Sequence, residues 1–307
     1  MKRLALGLGV AAIAGAGLAF VLTAPRPVAA ERLEAIAATG GDAAAGETMF
    51  WAGGCASCHA APGAEGDAKL VLSGGVKLKS DFGTFIAPNI SPDPQAGIGE
   101  WSISDFANAM LAGVSPDGSH YYPAFPYGSY TRMTDGDIAD LFAFMKTLPE
   151  SKVASLPHEI GFPFNIRRSL GGWKLLFFTD QPRVQLASDD PQIKRGQYLV
   201  EGPGHCGECH TPRNPIGGFV SNAWLSGAQN PEGEGVIPNL TPGGKSISSW
   251  STSDIAYYLE SGFTPDFDSV GGSMVDVQKN MAKLKSDDRD AIAAYLKALP
   301  ERPNGWE

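Results

Sequence analysis

The sequence predicts an all-α protein: two tandem helical units of similar build behind an N-terminal hydrophobic helix. Three observations carry that expectation. A five-residue pattern occurs twice, as Cys55-Ala56-Ser57-Cys58-His59 and Cys206-Gly207-Glu208-Cys209-His210. The stretches that follow each pattern match one another in order and spacing. The last segment of each match carries apolar residues at i, i+3, i+4 and i+7, the period of a helix with one buried face, and no stretch alternates as a strand would.

The chain opens with Lys2 and Arg3, an uncharged run from Leu4 to Ala24, then Pro25-Arg26-Pro27 and small residues up to Ala30. That is an export signature. The run is longer than the roughly 7–15 residues of a cleaved signal, and at ~1.5 Å per residue it just spans a bilayer. Val28 and Ala30 suit a cleavage site after Ala30, but the length favours a retained anchor, with the body on the periplasmic side of the membrane. Residues 1–30 are expected to form a signal peptide or signal anchor.

The two units follow at residues 40–150 and 191–301. Pro88-Asn89-Ile90 starts 33 residues after Cys55, and Pro238-Asn239-Leu240 starts 32 after Cys206. Trp101-Ser102-Ile103-Ser104-Asp105 matches Trp250-Ser251-Thr252-Ser253-Asp254, and Pro149 and Pro300 each stand 94 residues past the first cysteine of their unit. Each unit reads as helix, Cys/His turn, long loop, helix, loop, helix. The opening helices are expected over 46–52 and 196–200. The middle helices start near Ser104 and Ser253, whose hydroxyls can cap them, and end at Gly113 and Gly262. The last helices start at Thr134 and Ser286, with acids in the first turn where the helix dipole favours them. Their stripes are Leu141, Phe144, Met145, Leu148 and Ile292, Tyr295, Leu296, Leu299. These are expected to pack on the opening helix. Residues 151–190 form a connector whose Arg167, Arg168, Trp173 and Lys174 either pack across the junction or offer a docking or membrane-surface site.

Cys-x-x-Cys-His is the attachment signal for a c-type haem. Two thiols three positions apart on one helical turn can each add to one vinyl group of a single porphyrin. The histidine next in line then sits under the iron as its proximal ligand. A zinc site would need two such pairs close together, yet 147 residues separate Cys58 from Cys206, and both histidines would go unexplained. A thioredoxin-like pair asks for no trailing histidine. With 5 His in 307 residues, chance would put one after both pairs roughly once in 4,000. The expected cofactors are two covalently attached haem c groups, held by Cys55, Cys58, Cys206 and Cys209, with His59 and His210 on the irons. All 4 cysteines are used, so no disulfide is expected.

A haem that only carries electrons normally has a second axial ligand, commonly a methionine. In the second unit Met274, in Gly271-Gly272-Ser273-Met274, stands 26 residues before Pro300 and suits that role better than Met281. In the first unit the position 26 before Pro149 is Pro123, and Phe125 nearby cannot bind iron. Three readings stay open there: His120, Met133, or no protein ligand. Met133 also reads as an apolar staple ahead of the last helix, as does its counterpart Leu284.

Charge narrows the partners. With 24 basic against 33 acidic residues, net −9, the surface repels nucleic acid and favours partners with a basic docking face.

These patterns resemble the dihaem cytochrome c family that partners periplasmic dehydrogenases. Members include the cytochrome subunits of bacterial membrane-bound alcohol, sorbitol and gluconate dehydrogenases. The resemblance covers nearly everything from Gly40 to Pro300. It rests on both Cys/His signals, on Gly113-Val114-Ser115-Pro116-Asp117-Gly118 with the Tyr-Pro-Ala-x-Pro-Tyr run after it, and on Gly262-Phe263-Thr264-Pro265-Asp266 with the loop ending in Met274. In those subunits the Tyr-Pro-Ala-x-Pro-Tyr run usually holds a ligand methionine, and Phe125 departs from it. They often carry three haems, whereas this chain has signals for two.

The resemblance implies two tandem cytochrome c-like domains and an electron-transfer protein that is not itself an enzyme. Electrons would arrive one at a time from a periplasmic dehydrogenase. They would leave for a cytochrome, an oxidase or a quinone-linked acceptor, with membrane association through the N-terminus. A second reading, a peroxidase-like haem enzyme working at an open first haem, follows if neither His120 nor Met133 binds.

Overall fold

Lys2, Arg3 and most of the uncharged N-terminal run fold as one helix, α1 (Lys2–Leu22). The computed structural model describes residues 2–231 and 233–307, and their side chains except at 2–8, 10–12 and 246. Among the described residues no helix is long and apolar enough to cross a membrane. The expected anchor is therefore not supported. Part of α1, where the expected anchor falls, has side chains outside the described ones. The end of α1 is tied to the body. Arg168 donates to the Phe20 carbonyl and stands 4.1 Å over the Phe20 ring.

A second helix, α2 (Ala30–Ala38), was not expected. Ile36 on it is fully buried, Arg32 pairs with Asp135 at 2.8 Å, and just ahead of it the Val28 N–H reaches Asn108 Oδ1 at 2.8 Å. The first hydrophobic cluster thus reaches back before residue 40.

The Asp42 carboxylate caps α3 (Ala43–Ala52) by accepting from the Ala44 and Ala45 N–H groups. There follow α4 (Cys55–His59), a 3₁₀ turn at Gly66–Leu70, and an antiparallel hairpin of β1 (Lys77–Ser80) and β2 (Gly83–Ile86) with Lys77 opposite Ile86. The hairpin corrects the all-α expectation: strands this short hold too few residues for alternation to show. Next come α5 (Ile103–Ala107), a π-helical turn at Asn108–Ala112 that Gly113 ends at φ 59°, α6 (Tyr127–Tyr130) and α7 (Asp135–Met145). The connector contributes α8 (Ser169–Phe177).

The later part repeats the plan. It runs α9 (Pro191–Glu201), α10 (Gly207–His210), a short pair β3 (Ala228–Gln229) and β4 (Val236–Ile237), then α11 (Lys245–Ser248) and α12 (Thr252–Ser261). It ends with α13 (Met274–Met281) and α14 (Ser286–Ala298). The caps of α5 and α12 are Ser102 and Ser251, not Ser104 and Ser253. Each forms a reciprocal box with the acid three residues on, Asp105 or Asp254, which satisfies two helix-end donors at once.

Two helix crossings build the cores. α7 lies across α3, and α14 across α9. Gly46 faces the Asp140 carbonyl and Gly196 the Ala291 carbonyl so closely that a Cβ at either would overlap it. The expected stripes lie in these crossings: Leu141, Met145, Leu148 and all four of Ile292, Tyr295, Leu296, Leu299 are buried. One cluster gathers around Phe50, Leu111 and Ile138, the other around Val200, Trp224 and Tyr295. The connector packs across the junction. Lys174 donates to the Ala112 and Gly113 carbonyls at 2.7 and 2.8 Å and lies 4.5 Å over the Tyr127 ring, while Phe177 lies against Gly218.

Candidate haem centres

Each Cys/His pattern sits on a single helical turn that starts the same way. Gly54 before Cys55 and His205 before Cys206 both adopt the left-handed conformation, at φ 60° and 38°. Their carbonyls accept the N–H of Ser57 and Glu208, each at 2.9 Å, which closes the turn. At the far end the His59 carbonyl accepts from Gly74 N–H at 2.7 Å and the His210 carbonyl from Gly227 N–H at 2.8 Å.

The two imidazoles are oriented alike. His59 Nδ1 lies 2.8 Å from the Pro88 carbonyl oxygen, and His210 Nδ1 lies 2.8 Å from that of Pro238. A carbonyl can only accept, so Nδ1 carries the proton and Nε2 presents its lone pair for a metal. The strands β2 and β4 run almost straight into these prolines. The buried asparagine that follows each proline holds its loop. Asn89 Nδ2 donates to the Ser151 and Val153 carbonyls at 2.7 and 2.8 Å, and its Oδ1 accepts from Ser91 N–H at 2.9 Å. Asn239 Nδ2 donates to the Arg302 carbonyl at 3.0 Å, and its Oδ1 accepts from Thr241 N–H and Oγ1 at 2.9 and 2.8 Å. The repeated Pro-Asn-Ile/Leu was visible as a repeat, but its contact with the histidine of each Cys/His turn shows only in three dimensions.

Electrostatics favour neutral groups in both turns. Burial, with a smaller contribution from the neighbouring cysteine, pushes the Cys55 and Cys206 thiols up to about 12. Burial and the Asp276 carboxylate raise Cys58. Protein packed around His59 and His210 lowers their proton affinity, and the proline carbonyls offset part of that. Two thiols and an imidazole whose Nδ1 faces a carbonyl on one turn are the donor set a c-type haem requires, and the chain presents it twice. The bound group supplies one-electron oxidation and reduction.

The distal candidates are placed as follows. Met274 opens α13, partly buried against the second cluster, and Met281 is buried at the far end of that helix. Met133 is buried in the first cluster, against which Cys55 also packs. His120 is buried and its Nε2 lies 2.9 Å from the Thr23 carbonyl oxygen. The Phe125 ring meets Tyr121, Tyr127 and Tyr130 edge-on. One residue that sequence reasoning passed over is His205: its signal was a histidine in the slot where the first unit has Gly54.

The cytochrome c family model matches residues 43–149. A diheme cytochrome c-type protein of Cereibacter sphaeroides is 54% identical over 300 residues, covering 97% of this chain and 98% of its own. The cytochrome c subunit of a quinone alcohol dehydrogenase of Gluconobacter oxydans is 37% identical over 85% of this chain and 55% of its own. The gluconate 2-dehydrogenase cytochrome c subunit of Pantoea cypripedii is 35% identical over 83% and 58%. The chain thus spans a little over half the length of these two dehydrogenase subunits. All three relatives are cytochromes or cytochrome subunits by name, and none lends support to a peroxidase reading. The chain belongs to the cytochrome c family as a dihaem c-type cytochrome, an electron-transfer protein whose two haem c groups are covalently attached.

Proposed function

We propose that the protein takes electrons one at a time from a periplasmic dehydrogenase and hands them on towards the respiratory chain. The two cytochrome c-like units would be residues 40–150 and 191–301. The observation that carries this is the doubled site: two Cys/His turns, each with its imidazole aligned by a proline carbonyl 2.8 Å away. The names of the alcohol and gluconate dehydrogenase subunits support a dehydrogenase as donor. The net charge of −9 suits a donor or acceptor with a basic face. The export signature and the need to attach haem outside the cytoplasm support a periplasmic location.

In this reading Cys55, Cys58, Cys206 and Cys209 form the thioethers, and His59 and His210 bind the irons. Met274 is the sixth ligand in the second unit. In the first unit Met133 is the stronger candidate, because it shares a buried cluster with the surroundings of Cys55, whereas His120 Nε2 is taken by the Thr23 carbonyl.

The test starts from protein purified from the periplasm. Its mass should exceed that of the polypeptide by two haem groups. Its spectrum should turn to the reduced form when a membrane fraction oxidises an alcohol or gluconate in its presence. A colourless product with the bare polypeptide mass would end this reading.

A further inference from the structure

The residue before each Cys/His turn must be left-handed, a conformation that glycine adopts freely and other residues rarely do. The first unit uses Gly54 there and the second uses His205, at φ 60° and 38°. The side chain that tolerates this strain makes a specific contact. His205 Nε2 lies 3.1 Å from the carbonyl oxygen of Gly53, two residues before Cys55. Tyr130 Oη donates to the same oxygen at 3.0 Å, and its ring meets that of His205 edge-on at 5.6 Å.

Other contacts tie the second unit to the first Cys/His turn and its neighbourhood. Asn280 Nδ2 donates to Ser57 Oγ, inside the first Cys/His turn, at 2.7 Å. Asp276 pairs with Lys69 at 2.9 Å. Both come from α13, the helix that Met274 opens. Gly54 lies beside them: a Cβ on it would be at ordinary contact distance, 3.8 Å from His205 Nε2 and 3.6 Å from Asn280 Nδ2.

We infer that His205 is the positioning residue that couples the two haem sites, by donating Nε2–H to the Gly53 carbonyl and closing a bonded route from Cys206 to Cys55. The route runs Cys206, His205 backbone and imidazole, one hydrogen bond, Gly53, Gly54, Cys55. Electronic coupling falls off more slowly along bonded atoms, a hydrogen bond included, than across a van der Waals gap. With both haems bound, one electron lost at one iron would be gained at the other, with no bond broken and no proton transferred. The inference rests on the dihaem reading above and adds the path between the two sites.

Three variants of the full-length haem-loaded protein test it: His205→Gly, His205→Phe and His205→Gln. Glycine removes the ring and relieves the backbone strain, so folding is preserved. Phenylalanine fills the space without a donor, and glutamine keeps a donor. A single electron is injected by pulse radiolysis and its equilibration between the haems is followed by absorbance. A spectroelectrochemical titration of both midpoint potentials runs beside it. The Gly and Phe variants should equilibrate several-fold more slowly than wild type, and Gln should recover most of the rate. Wild-type rates in the Gly or Phe variant, or no recovery with Gln, would overturn the inference. Rescue by Phe would assign His205 a packing role alone. A wild-type protein with fewer than two covalent haems by mass would instead sink the dihaem reading, so the two failures are separately visible.

Discussion

His210 Nδ1 lies 2.8 Å from the carbonyl oxygen of Pro238. That one bond selects the tautomer with the lone pair on Nε2, and in the proposed reading it would raise the basicity of His210 as an iron ligand. It depends on Asn239, which is buried and holds the Pro238 loop through the Arg302 carbonyl and Thr241. Replacing Asn239 with Ala should cost about 1–3 kcal/mol, the usual price of leaving buried partners unpaired. With the proline carbonyl no longer held, the second haem should show a raised reduction potential while the first keeps its own. Thermal unfolding and a spectroelectrochemical titration read the two effects. An unchanged potential would mean that the loop holds its place without Asn239.

Met274 opens α13 and leans on the second cluster. If it is the sixth ligand there, Met274→Ala should abolish the weak red-end absorption of a ferric methionine–iron bond at the second haem. Met281→Ala should spare it. The same measurement on Met133→Leu and His120→Ala decides the first haem, where loss with Met133→Leu is the expected result.

Gly46 and Gly196 let α7 and α14 cross α3 and α9 with backbones in contact. In a free helix alanine would be preferred to glycine by about 1 kcal/mol. Here the added Cβ overlaps a carbonyl, and forced repacking costs about 1–3 kcal/mol, so the clash decides the sign. Gly46→Ala and Gly196→Ala should each lower the melting temperature. Gly136→Ala, near the start of α7 where a Cβ would meet only the Thr134 hydroxyl at 3.9 Å, should leave it level or raise it.

Lys174 gives the pH dependence. Burial lowers its pKa from 10.5 to about 8. Below about pH 8 the folded and unfolded chains are both protonated, and the folded state bears the full penalty of the buried charge. Between about 8 and 10.5 only the unfolded chain holds the proton, so the contribution of this group to stability rises with pH. The unfolding free energy of the wild type should therefore gain on that of Lys174→Met across this window. Chemical denaturation at several pH values checks it, and parallel curves for the two proteins would refute it.

Much was legible in the residues alone, because the chemistry of haem attachment is local. Two thiols and an imidazole must share one helical turn, so Cys55 to His59 and Cys206 to His210 announce themselves wherever the rest of the chain goes. Helix stripes such as Ile292, Tyr295, Leu296 and Leu299 are local for the same reason. The period of the backbone shows which face must be buried. The caps were off by two residues, since either serine could bond to a helix-end N–H and only the spacing to Asp105 and Asp254 selects Ser102 and Ser251. The hairpins were too short to leave a pattern, and α2 escaped because its one fully buried residue, Ile36, makes no stripe. What only the tertiary structure decided are the contacts between residues far apart in the chain. These include the Pro88 carbonyl on His59, the Thr23 carbonyl on His120, Asn280 on Ser57, and His205 reaching Gly53 across 152 residues. No period or spacing encodes such meetings, because each depends on how loops and helices distant in the chain are brought together in space.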